Sequence, residues 1–239
     1  MELIFNNYIS GHDMDYYRYV SPSAYLKIGE SAGFAAAERA GFSMQRMIDE
    51  LDATWMTASV VLDILEDINT VGMAQVYADP VTVDGVLFHE CIRIHRDGRP
   101  IARCVLHTMA VNFTTRKVIR PEELLAHFGM PLVPGPGIPP RLVMPEDMAL
   151  KDRFTVRYSN CDHNRHLRAS AYADLVCDAA DYWSGETRKK ARHLTLEYLG
   201  ECRVGETLDL YRRDTDAGIL IRGVRGDGKD SFRANFVME

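Results

Sequence analysis

The sequence predicts an α+β fold assembled from two copies of one unit, each a long helix wrapped by an antiparallel sheet. Three observations carry this prediction. The stretch DMDYYRYVSPSAY, Asp13 to Tyr25, returns as NCDHNRHLRASAY, Asn160 to Tyr172, with Asp15, Arg18, Ser23, Ala24 and Tyr25 repeated as Asp162, Arg165, Ser170, Ala171 and Tyr172. Each copy follows a β-rich run and leads into a helical period and then four further β-rich runs. Between the copies, GMPLVPGPGIPPRLVMP, Gly129 to Pro145, is dense in proline, which excludes helix interior and central strand and favours an extended connector. The expected units are therefore residues 1–128 and 146–239, joined by a linker at 129–145.

The elements of the first copy follow in order. A strand over Leu3–Ser10 leads into the repeated motif. Ser21 as N-cap and Pro22 at the first helical position start a helix whose apolar face is Tyr25, Ile28, Ala32, Ala35 and Ala36. Its GESAGFAAAERAG stretch is small enough to let a sheet approach the backbone closely. Strand runs are expected at Thr57–Glu66, Met73–Val83, Phe88–Arg96 and Pro100–Phe113.

The second copy repeats this order. A strand at Asp152–Tyr158 precedes a helix with Tyr172, Leu175, Val176, Ala179 and Trp183 on one face, then runs at His193–Leu199, Thr207–Asp214, Ile219–Arg225 and Ser231–Val237. Asp97-Gly98 and Asp227-Gly228 are hairpin signals at matching places, and Val71-Gly72 matches Val204-Gly205. The spacing between copies shrinks across the helix, so the second helix region is the shorter. A helix wrapped by four or five antiparallel strands is the hotdog arrangement, and two in one chain form a tandem, double hotdog. A lone unit of this kind pairs with a second; a fused pair satisfies that need internally, leaving monomer and homodimer both open.

Composition narrows the function. Hydrophobic residues make up 46% of the chain and formal net charge is −6, with neither half basic, so no nucleic-acid partner is expected. Five cysteines without a C-x-x-C pair point to a reducing, cytoplasmic setting rather than a disulfide framework. The N-terminus lacks the pattern of a signal peptide, and no apolar run reaches the length of a membrane span.

The two copies differ at reactive positions. Tyr17 and Tyr19 of the first become Asn164 and His166 in the second, which suggests one working site and one blank. Asp162, Asn164 and His166 are spaced D-x-N-x-H before a helix; if the segment is extended, all three face one cleft. The free N–H groups and positive end of that helix suit an oxygen gaining negative charge. The competing reading is an ordinary hydrogen-bonded turn. The second candidate, Glu201–Cys202, lies in LTLEYLGECRVG. Strand alternation would put Thr195, Glu197, Leu199 and Glu201 on one face. Glu201 is a candidate general base, and Cys202 a candidate nucleophile activated by His166; the bland alternative is an exposed edge carboxylate and a small buried hydrophobe. His163 and His166 are spaced H-x-x-H, which does not suit the usual helical zinc motif, so neither metal nor cofactor is expected. Met14, Met44, Met47 and Met56, with Phe42 and Trp55, read as core or as the lining of an acyl tunnel.

Taken together, VRYSNCDHNRHLRASAY followed by LTLEYLGEC resembles the C-terminal half of the acyl-acyl-carrier-protein (acyl-ACP) thioesterases of bacteria and plant plastids, whose pattern is close to D-x-N-x-H-V-N-N-x-x-Y and then L-E-Y-x-x-E-C. Asp162, Asn164, His166 and Tyr172 match the first part; Leu196, Glu197, Tyr198, Glu201 and Cys202 match the second. ESAGFAAAERAGFS resembles the family's first helix and its exit. The resemblance implies a double hotdog that hydrolyses fatty acyl-ACP to free fatty acid and holo-ACP in fatty acid biosynthesis. Asn164, His166 and Glu201 would form the hydrolytic core, Asp162 would position it, and Cys202 would have a non-covalent role. The first unit would house the acyl chain. Two departures stand out: Arg168-Ala169 replaces the family's Asn-Asn pair, which transfers the expected helix cap to Ser170, and Arg165 replaces a small or neutral residue. The alternatives are an acyl-CoA thioesterase and a non-catalytic module that binds acyl thioesters; the His/Asp arrangement of the acyl hydratases is not found. The implied partner is an acidic carrier protein bearing a phosphopantetheine-linked acyl chain. Arg188, Lys189, Lys190 and Arg192 are the candidate docking patch, with a solvated helix end as the alternative.

Overall fold

A computed structural model describes residues 1–162, 164–184 and 189–239. The first half contributes β1 (Glu2–Ile9), α1 (Pro22–Arg39), α2 (Met44–Leu51), β2 (Ala53–Ile64), β3 (Gly72–Ala78), β4 (Thr82–Asp84), β5 (Leu87–Arg96), β6 (Arg99–Asn112) and α3 (Pro121–His127). The second contributes β7 (Ala149–Thr155), α4 (Ala169–Ala179), β8 (Ala191–Tyr198), β9 (Thr207–Thr215), β10 (Gly218–Arg225) and β11 (Asp230–Met238). Each half is a helix laid across an antiparallel sheet, and the two together form the double hotdog.

All the strands join in one 11-stranded sheet, ordered β1-β3-β5-β6-β2-β8-β11-β10-β9-β7 with β4 attached to β5. The halves meet where β2 pairs with β8, from Ser59 opposite Glu197 to Asp63 opposite His193. His193 Nδ1 lies 2.8 Å from Asp63 Oδ1 across that seam. The alternating runs seen in the sequence are these strands, with instructive exceptions. Met73–Val83 splits into β3 and β4 around Pro80, which has no N–H to continue a ladder. The strand expected at Asp152–Tyr158 lies earlier, as β7, and Tyr158 opens a single 3-10 turn instead. The extra length of the first copy goes into the longer α1 and into α2.

Helices α1 and α4 lie side by side on one face of the sheet. A single core runs through both halves, with Tyr25 and Leu26 from α1, Val176 from α4, Leu62 from β2 and Leu196 from β8. A second cluster of Phe42, Met47, Phe88 and Leu124 fastens α2 and α3 to the end of the sheet. The small-residue face of α1 serves the expected purpose at Gly29: a Cβ there would stand 2.8 Å from Cys104 Sγ and 3.1 Å from its Cβ. The apolar face of α4 stops sooner than its spacing suggests. The helix ends at Ala179, Asp181 takes φ 52°, and Trp183 is exposed rather than packed.

The proline-rich stretch crosses the opposite face of the sheet. Leu142 N–H donates to Glu197 Oε1 at 2.7 Å, Arg233 donates to the Leu142 carbonyl, and Gly137 N–H donates to Asp84 Oδ2. No helix among the described residues is long and apolar enough to cross a membrane.

Because α1 sits this close to β6, Gly29→Val should lower stability by about 1–3 kcal/mol through overpacking. Urea unfolding of the two proteins measures the difference, and equal midpoints would contradict the close approach.

Candidate active site

The repeated motif is a tight turn in both copies, not an extended segment. Asp15 Oδ1 accepts the N–H groups of Tyr17 and Tyr19, each at 2.9 Å. Asp162 Oδ1 accepts those of Asn164 at 2.8 Å and His166 at 3.5 Å. Arg18 and Arg165 both take φ 66° at the same point of the turn. The carboxylate therefore folds the backbone onto itself, and that turn, rather than strand alternation, brings Asp162, Asn164 and His166 to one cavity. In the first copy the position of Asn164 is held by Tyr17, whose hydroxyl donates to the Trp183 carbonyl at 2.6 Å and ties the turn to the end of the other half's helix region.

A second segment completes the constellation. Leu167 N–H donates to the Cys202 carbonyl at 2.8 Å, and His166 bridges Arg203. This pairing sets His166 Nε2 3.0 Å from Glu201 Oε2. Strand alternation does not carry as far as Glu201. Leu199 and Gly200 both donate to the Ser231 carbonyl, which breaks the period, so Glu197 turns to the linker side while Glu201 lines the cavity. Cys202 points the other way. Its thiol is buried and lies 3.2 Å from Ser231 Oγ, and burial pushes its pKa up. Tyr172 Oη reaches the same Ser231 hydroxyl, which donates to the Gly200 carbonyl. The thiol has no contact with His166, so the geometry does not support the nucleophile reading; Cys202 sits in the packing that holds the 199–203 segment in place.

The start of α4 lies in the cavity wall, through Arg168, Ala169 and Ser170. Ser170 does not take over as the cap: the N-cap is Arg168, with no side-chain cap bond, and Ser170 is buried in the first turn. The guanidinium of Arg168 instead reaches back to the carbonyls of Ser159, Asn160 and Cys161 and staples the turn. The contrast with α1 is direct, because Ser21 Oγ accepts Ala24 N–H at 3.1 Å and closes that helix end. The blank copy has a capped helix, whereas the second copy leaves its helix N–H groups without a side-chain cap beside His166 and Glu201.

Residues 144–236 match the family described as the acyl-ACP thioesterase C-terminal domain. That match spans the second half of this chain and takes in both motifs, Asp162 to Tyr172 and Leu194 to Cys202. No curated protein matches the sequence. Among solved structures, an acyl-ACP thioesterase from Bacteroides thetaiotaomicron is similar at TM-score 0.81 and 14% identity, over 98% of this chain and 96% of that one. A 12:0-ACP thioesterase from Umbellularia californica is similar at TM-score 0.78 and 18% identity, over 98% and 96%. A MaoC-like dehydratase from Phytophthora capsici shares the fold at TM-score 0.53 and 11% identity, over 77% and 69%. At such identities the structures establish a common fold.

The cavity is about 1000 Å³ and is walled by both halves of the chain. Several of its charged groups leave no mark in the sequence, Arg116, Arg203 and Glu30 among them. Arg116, after β6, donates to Glu201 Oε1 at 3.1 Å from the first half. Arg203 lines the cavity and is exposed. Glu30 faces it from α1, and burial, aided by the charge of Asp162, pushes its carboxyl up to about 7. Arg116 sits in an unremarkable loop, FTTRK, and Glu30 reads as a polar position on an Ala-rich helix, so neither leaves a sequence signal. The proposed docking run is placed elsewhere. Lys190 and Arg192 pair with Asp67, Arg192 also with Glu239, and Arg188 lies outside the described residues, as does His163. Of the methionines and aromatics singled out, Trp55 and Met56 line the cavity, while Phe42 and Met47 are core.

Glu30 gives a pH signature. Its pKa is higher folded than unfolded, so the stability of the wild type declines as pH rises from about 4.5 through about 7 and is flat above. Glu30→Gln should therefore be more stable than wild type at pH 8, by roughly 1–3 kcal/mol. The difference should vanish at pH 4; thermal melts at both pH values check it.

Proposed function

We propose that this chain hydrolyses the thioester of a fatty acyl-ACP, releasing the free fatty acid and holo-ACP, with Glu201, His166 and Asn164 as its working residues. The carrying observation is the 3.0 Å contact of His166 Nε2 with Glu201 Oε2 on the wall that also holds the uncapped start of α4. In this reading Glu201 takes a proton from a water held beside it, and His166 orients both. The resulting hydroxide attacks the thioester carbon. The carbonyl oxygen gains charge against the N–H groups at the start of α4, which are fixed before reaction and so need no reorganisation, and against the amide of Asn164. Collapse breaks the C–S bond, the thiolate leaves on the carrier arm, and the proton held by Glu201 returns to the sulfur or to solvent. Asp162 acts as a positioning residue, through the turn that sets Asn164 and His166.

The division of labour follows from the walls. Residues 146–239 supply the chemistry. Residues 1–128 supply Phe34 and Ala37 of α1 and Trp55, Met56 and Leu106 of the sheet, a surface suited to an acyl chain. Arg203 and Arg116, the latter paired with Glu201, are the cations best placed for the anionic carrier arm because they line the cavity, which Lys190 and Arg192 do not.

Turnover of acyl-ACP and acyl-CoA thioesters of graded length tests the reading through thiol release. Glu201→Gln and His166→Ala should each lower kcat by about 10²–10⁴. Cys202→Ala should keep kcat within about threefold while losing about 1–2 kcal/mol of stability from its small cavity. Loss of turnover in a folded Cys202→Ala protein, with activity retained in Glu201→Gln, would reverse the assignment in favour of a covalent route.

A further inference from the structure

The acyl wall contains a polar group that the hydrolytic mechanism does not use. Glu90 of β5 and Thr108 of β6 both line the cavity, on the part of the sheet facing α1. Thr108 Oγ1 donates to Glu90 Oε1 at 2.8 Å. The second oxygen, Oε2, lies against Gly33, where a Cβ would come within 2.6 Å of it, so a larger residue on α1 would displace the carboxyl. Among the described residues no cation pairs with Glu90, and burial raises its pKa, which favours the neutral acid that can donate as well as accept. Thr57 lines the same wall, and the indole Nε1 of neighbouring Trp55 is buried without an acceptor among the described residues. The same cavity also has the apolar side chains Phe34, Ala37, Met56 and Leu106 in its wall.

A plain hydrocarbon chain laid on this wall would remove water from a carboxyl with one oxygen unpaired, and such a group costs free energy when left without a partner. A chain bearing a hydroxyl would both accept from and donate to the Glu90–Thr108 pair. We infer that the acyl group this site takes carries a hydroxyl along its chain, held by Glu90 and Thr108. The inference rests on the hydrolytic reading above and adds the class of acyl chain to it. A site built to bind a hydroxyl discriminates against the analogue that lacks one, because its own polar groups are then stranded.

The test uses the full chain with acyl-ACP substrates of matched length, unsubstituted or hydroxylated at successive carbons. It reads kcat/KM by thiol release and, independently, binding of the matching free fatty acids by tryptophan fluorescence. Wild type should favour at least one hydroxylated chain by about tenfold or more in both measurements. Glu90→Leu should abolish or invert that preference by weakening the hydroxylated chain and improving the plain one, and Thr108→Val, which keeps its volume, should move the ratio in the same direction. An unsubstituted chain turned over and bound as well as every hydroxylated one would overturn the inference while leaving hydrolysis standing, as would variants that change both chains in equal proportion. Absence of turnover on every substrate would instead overturn the hydrolytic reading, and the fluorescence preference would still decide the chain class.

Discussion

The pairing of β2 with β8 is the constraint on which the remaining structure depends. Those few residue pairs convert two sheets into one and give two hydrophobic faces a common core. They also set α1 beside α4, so that the wall of a single cavity is drawn from both halves. A sheet edge left unpaired at β2 or β8 would expose a row of backbone donors and acceptors. Joining the two edges removes that liability and in the same step builds the site. Arg116 and Glu30 reach the second half's chemistry only because the seam brings them there.

Duplication shaped the site through one turn used twice. In both copies a single aspartate accepts two backbone N–H groups and the residue three places later takes a left-handed conformation. The scaffold is thus indifferent to whether Tyr or Asn and His occupy the variable places, so the two copies differ there while sharing one turn. The first copy used that freedom for packing: Tyr17 binds across to Trp183, and Ser21 caps its helix. The second kept an unfilled helix end, because Arg168 spends its side chain on the turn rather than on the cap.

The cavity sets opposing demands on stability and function. Glu30 and Glu90 each surrender water on folding, and burial raises the pKa of both. Burying such carboxyls costs stability once they ionise, because the charged form has given up water. Cys202 and Tyr172 illustrate the opposite case: their polar atoms meet at Ser231, in contacts made within the fold.

The sequence by itself determined the architecture. Periodicity and turn residues placed the strand runs to within a few residues, except that Met73–Val83 is two strands, because strand and hairpin signals are local. The repeat exposed the duplication, and the comparison of its copies singled out Asn164 and His166. Tertiary structure alone decided what those residues face. Whether the turn is extended, whether Glu201 or Glu197 faces inward, and whether Cys202 meets His166 all depend on hydrogen bonds between segments far apart in the chain, at Leu167 with Cys202 and at Ser231 with Leu199 and Gly200. Arg116, Glu30 and Glu90 join the cavity for the same reason: they acquire a role from what the seam places opposite them, and no local pattern records a partner that lies in the other half of the sheet.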